Sequence, residues 1–108
     1  METGTERLRA ALDELRRRFV ERSAGRIAEL GELVARIAAG ADGETVRAAR
    51  RIAHELAGGA GSFGHPELGR AAAALEAVLR EVEAGGGDVE AVRNAFEAVR
   101  ARAPAPAG

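Results

Sequence analysis

The chain has 108 residues, enough for one hydrophobic core but too few for a core plus a second lobe that encloses a substrate. It has no cysteine, which excludes disulfide frameworks and thiolate metal sites, and its only aromatic residues are Phe19, Phe63 and Phe96, too few for base-stacking platforms or aromatic ligand cages. Sixteen basic residues, all arginine, are interspersed with seventeen acidic ones for a formal charge of -1, a balance that argues against nucleic acid as the main partner.

The N-terminal stretch carries Glu2, Glu6, Arg7 and Arg9 with no apolar run of signal-peptide length, and nothing approaches the roughly 18 apolar residues of a membrane span. The expectation is a soluble cytoplasmic protein that does not engage membranes. From Thr5, Leu8, Leu12, Leu15 and Phe19 recur at spacings of four, three and four, the stripe of an amphipathic helix. The stripe resumes at Ile27, Leu30, Val34 and Ile37, but only by passing through Ser23. Ser23-Ala24-Gly25 therefore reads as a bend or boundary, with one helix to about Arg22 and another from about Ala24 to Ala39; a single long kinked helix fits nearly as well.

Gly40 to Gly43 is a turn, and Asp42 is placed to cap the next helix. That helix has Val46, Ala49, Ala53, Leu56, Ala60 and Phe63 at alternating spacings of three and four, an apolar row that runs unbroken through Gly58, Gly59 and Gly61. Gly64 is a suitable left-handed terminator, His65 the next cap and Pro66 the first residue of a following helix. Leu68, Ala72, Leu75, Leu79 and Val82 mark the apolar face of that helix, which Gly85-Gly86-Gly87 ends. Asp88 caps a last helix that buries Val89, Val92, Phe96 and Val99, and the Ala/Pro segment 104–108 cannot continue it. The expected architecture is all-α: an up-down-up-down four-helix bundle with an additional N-terminal helix, one domain over 1–103 and a flexible tail over 104–108, monomeric by default.

The stretch His54 to Gly64 holds the chemistry. A glycine inside a helix costs about 1 kcal/mol relative to alanine, so the three glycines give up about 3 kcal/mol of helix propensity. Gly59 can serve close packing against a neighbouring helix, but Gly58 and Gly61 fall on the same side as His54, where missing side chains open access. His54 lies about 100° of helical rotation from Ala53 and so stands at the solvent side of the bundle. An ordinary exposed histidine is the bland alternative, and it leaves the glycines unexplained. Arg50 and Arg51 lie one turn upstream and can supply positive charge, although Arg51 pairing with Glu55 would account for it equally.

Other chemistries lack their residues. His54 and His65 are eleven positions apart, about 16 Å along a helix, and no metal-ligand spacing exists. Ser23 and Ser62 stand beside no plausible base, and the glycine cluster lacks the lysine and hydroxyl residue of a phosphate-binding loop.

The segment from Ala53 to Leu68, AHELAGGAGSFGHPEL, resembles the signature of histidine-containing phosphotransfer (HPt) domains of bacterial phosphorelays. The family pattern is a histidine followed by a hydrophobic residue, a small residue or lysine, a glycine, a second glycine and a leucine. Here these are His54, Leu56, Ala57, Gly58, Gly64 and Leu68, and the likeness extends more weakly over about 15–100 through the order of helices. The resemblance implies that His54 takes a phosphoryl group from, or returns it to, an aspartyl phosphate on a response-regulator receiver domain, in some cases within a hybrid sensor kinase. The domain would be a phosphocarrier rather than an enzyme, without a cofactor or metal of its own, the receiver supplying the acidic pocket and Mg2+. Ala57, Gly58 and Gly61 would form the docking face. Many family members have lysine where this chain has Ala57, so Arg50 or Arg51 is the expected substitute for its charge; the alternative is an adaptor that binds a receiver or another regulator without being phosphorylated.

Overall fold

The computed structural model describes residues 3–105. The described residues form four helices: α1 over Gly4–Ala38, α2 over Gly43–Ala60, α3 over Pro66–Glu83 and α4 over Val89–Ala101, with a 3-10 turn, Gly61–Phe63, after α2. Helix ends follow local chemistry. Thr3 and Glu6 form a reciprocal capping box at the start of α1, with the Thr3 hydroxyl accepting from the Glu6 amide at 3.1 Å and Glu6 accepting from the Thr3 amide at 3.2 Å. Asp42 accepts from the Thr45 amide at 3.1 Å and Asp88 from the Glu90 amide at 3.0 Å. Gly64 takes the left-handed conformation, φ 85°, that ends the α2 segment, and Pro66 opens α3.

Consecutive helices pack as neighbours and α4 closes the ring against α1, giving the four-helix bundle. Its core contains Leu30, Val34 and Ile37 of α1, Ala49, Ala53 and Leu56 of α2, Leu68, Ala72, Leu75 and Leu79 of α3, and Val92, Phe96 and Val99 of α4. The packing of α2 on α3 is the most extensive, and small residues face each other in it: a Cβ on Gly69 would make ordinary contact, 3.5 Å from both the Ala57 carbonyl oxygen and the Ala60 Cβ. Gly59 faces α1, where an added Cβ would come within 3.3 Å of the Phe19 ring. Phe19 in turn stacks with Phe63, ring centroids 5.1 Å apart, and with His65 at 5.6 Å, so the second histidine is a packing residue at the end of the bundle.

The sequence reading needs correction in three places. Among the described residues there is no separate N-terminal helix: α1 runs through Ser23-Ala24-Gly25 without a break. Serine and glycine weaken a helix by at most about 1 kcal/mol each, and here packing outweighs that, because Ser23 continues the buried row from Phe19 to Ile27 and Gly25 lies on the open side. The second correction concerns Leu8, Leu12 and Leu15, which belong to an amphipathic helix but are 61%, 41% and 44% exposed. At 1.5 Å per residue α1 is about 52 Å long against about 27 Å for α2 or α3, so its N-terminal half projects beyond the bundle. The overall extents of 59 × 22 × 21 Å reflect this arm. Third, Val89 is 38% exposed at the first position of α4 instead of joining the core. Residues 106–108 of the expected tail lie outside the described residues.

Candidate functional site

α2 is fixed by its buried row, with Ala53 and Ala60 fully buried and Leu56 nearly so, and this rotation places His54 outward with its side chain 67% exposed. The imidazole is nonetheless not free to turn. Its Nδ1 lies 3.1 and 3.0 Å from the two carboxylate oxygens of Glu76 on α3. Glu76 is itself largely enclosed, 13% exposed, and accepts a second hydrogen bond from Arg80 Nη2 at 2.7 Å. Burial alone would raise the Glu76 carboxyl pKa, but the hydrogen bonds and charges of His54 and Arg80 outweigh it and hold the group below its ordinary value of 4.5. Near neutral pH Glu76 is therefore an ionised acceptor without a proton to give. Nδ1 must carry the hydrogen of this contact, which leaves the outer nitrogen, Nε2, with its lone pair in the neutral ring.

Around the ring the surface is low. His54, Ala73, Glu76, Ala77 and Arg80 line a shallow depression of about 310 Å³. Gly58 and Gly61 are exposed, and a Cβ on either would meet nothing within 4 Å. Ala57 is half-buried and packs against the core beside α3. The glycine cluster thus divides: a side chain at Gly59 would press on the Phe19 ring, whereas no contact among the described residues calls for glycine at 58 or 61.

The arginines distribute differently from the sequence expectation. Arg50 is held by Glu83 of α3, Nε to Oε2 2.6 Å, in a half-buried ion pair. Arg51 is exposed, and its suggested partner Glu55 pairs instead with Arg26 of α1. The guanidinium that accompanies the histidine is that of Arg80, since both groups contact the same oxygen of Glu76. Sequence reasoning missed Glu76 and Arg80 because it considered neighbours on α2 alone. A usable signal existed in the antiparallel turn: His54 stands ten residues before Gly64 and Glu76 eleven after His65, so the two sit at matching heights.

Among the described residues no group of three or more His, Cys, Asp or Glu side chains is arranged to hold a metal ion, and no helix is long and apolar enough to cross a membrane. The family model for the Hpt domain matches residues 14–102, leaving the stretch with Leu8 and Leu12 outside the matched range. Comparison with curated proteins and with solved structures gives no significant match. A match over most of the chain, on an all-helical bundle with an outward, carboxylate-held histidine, places this chain in the Hpt domain family, the phosphocarrier modules of two-component signalling that work with response-regulator receivers.

Proposed function

We propose that the protein is a phosphorelay intermediate in which His54 takes a phosphoryl group from, and passes it to, the aspartate of a receiver domain. The observation that carries this reading is the Nδ1 contact to an ionised Glu76, which favours the tautomer with a nucleophilic Nε2 on the exposed side of the ring. In the forward step the Nε2 lone pair attacks phosphorus, the P–O bond to the receiver aspartate breaks and its electrons return to that carboxylate. The ring becomes a cation that keeps its Nδ1 hydrogen, and Glu76 offsets the new charge. Return of the phosphoryl group reverses the same steps, so no proton need leave the site.

The receiver would provide Mg2+ and the acidic pocket, while this chain contributes the nucleophile and a bare approach over Ala57, Gly58 and Gly61. Arg80 takes the place of the absent lysine: it is 61% exposed beside the same depression and can turn toward phosphoryl oxygens while remaining near Glu76. Arg50, engaged with Glu83, is a weaker candidate, and Arg51 has only its position one turn upstream to recommend it. The setting is cytoplasmic, with a receiver or a hybrid sensor kinase as partner.

The test is incubation with a phosphorylated receiver, followed by measurement of acid-labile label on the chain. Wild type becomes labelled and His54→Gln does not; label persisting on the variant refutes the assignment. Binding of the receiver without labelling of wild type would make the protein an adaptor. Arg80→Ala slows transfer by roughly tenfold while Arg50→Ala has the smaller effect, an ordering that reverses if Arg50 is the charge that serves the phosphoryl group.

A further inference from the structure

The arm of α1 carries an apolar stripe that nothing among the described residues covers. Leu8, Leu12 and Leu15 are exposed, and they continue at spacings of four, three and four to the buried Phe19. This is the a/d pattern of a helix-pairing seam, with leucine or phenylalanine at four successive seam positions. Charge is segregated about it. On a helical projection at 100° per residue, Arg9, Arg16 and Arg18 lie within about 90° of the stripe's centre, whereas Glu6, Asp13, Glu14 and Glu21 lie beyond about 120°. The acidic residues are occupied on that far side: Glu14 and Glu21 hold Arg17 between them at 2.5 and 2.6 Å, and Asp13 and Glu14 reach round to Arg16 and Arg18 at 3.3 and 3.2 Å.

We propose that this arm docks an amphipathic helix of another protein, one with an aliphatic stripe and acidic flanking residues. Charge selects that occupant over a second copy of this chain. Two such arms side by side in antiparallel alignment would set Arg9 against Arg16, and in parallel alignment no arginine at the seam would meet an acidic residue. A partner with glutamate or aspartate at the flanks meets Arg9 and draws Arg16 and Arg18 out of their exposed pairs with Asp13 and Glu14, while its stripe covers the three leucines. Because the stripe runs straight on into Phe19, the docked helix would lengthen the bundle past its Gly61–Phe63 end. The arm is independent of the phosphoryl chemistry of His54, so it can tether the domain to an upstream or downstream component without occupying the depression around the histidine.

The probe is a synthetic three-heptad peptide with leucine at the a and d positions and glutamate at e and g, alongside a peptide of the same core with lysine at e and g. Anisotropy titration against the full chain should give roughly tenfold or more tighter binding of the glutamate peptide, weakening as salt is raised from about 0.05 M to about 0.5 M. Leu12→Glu and Leu15→Glu should each weaken it by roughly tenfold, and Leu12→Ala, which keeps helix propensity, should also weaken it while circular dichroism stays unchanged. Equal binding of the two peptides, or binding indifferent to the leucine variants, overturns the proposal. So does a chain that dimerises by itself in sedimentation equilibrium and becomes monomeric with Leu12→Glu, because the occupant would then be a second copy.

Discussion

Glu76 and His54 stand 22 positions apart in sequence and meet across two helices, one nearly enclosed and the other open to solvent. The enclosed partner controls the exposed one, since a carboxylate that cannot donate leaves the imidazole one way to satisfy the contact. This pair has a defined pH signature. The folded-state pKa of Glu76 lies below its ordinary value of 4.5, so the pair's contribution to stability is fully present above that value and is lost as pH falls through the lowered one. Denaturant titrations should show wild type more stable than Glu76→Gln near pH 6, with the difference shrinking below about pH 4.5. A constant difference down to pH 3 would mean that Glu76 acts through packing alone. The same variant should transfer phosphoryl roughly tenfold more slowly, because the cationic ring loses its counter-charge.

At the scale of the helix, the glycines of α1 and α2 make a graded test. Gly25→Ala meets open space and should stabilise the protein by about 0.5–1 kcal/mol through helix propensity alone. Gly59→Ala gains the same propensity but presses a methyl group to 3.3 Å from Phe19, so thermal unfolding should show it less stable than Gly25→Ala. Gly58→Leu separates fold from function: nothing lies within 4 Å of its Cβ, so helicity should hold or rise, yet phosphotransfer should fall by roughly tenfold as the leucine obstructs the receiver. Normal transfer in that variant would contradict the access role. Ser23 shows the opposite balance, a residue poor in helix propensity kept inside α1 because its position faces the core, where its hydroxyl has no hydrogen-bond partner among the described residues.

Across the whole molecule, stability is unevenly spread. The radius of gyration, 16.0 Å, exceeds the roughly 13 Å of a compact chain of about 100 residues because the α1 arm stands clear of the bundle. An isolated helix of this length is marginal in water, and the capping box and ion pairs between Asp13, Glu14 and their arginines support it only modestly. Hydrogen exchange should therefore find the amides of residues 8–15 the least protected of the helical ones and those around Leu30, Leu75, Leu79 and Val92 the most. Equal protection along α1 would mean that the arm is covered in solution.

The sequence by itself determined what depends on neighbours within one helix or turn. The apolar row of α2 through its glycines, the terminator Gly64, the caps Asp42 and Asp88, the bundle class and the outward direction of His54 all follow from spacing and backbone chemistry that each segment carries alone. Tertiary structure decided what depends on which surfaces meet. Leu8, Leu12 and Leu15 have the same pattern as buried leucines, and only the shortness of the other helices leaves them bare. Ser23 reads locally as a break and becomes interior once Phe19 and Ile27 are packed. Arg80 reaches Glu76 within α3, one turn away, but only the register of α2 on α3 gives Arg50 to Glu83 and brings His54 to the carboxylate that Arg80 holds. A helix's own period fixes which way a side chain points; what it finds there depends on the partner helix and its height.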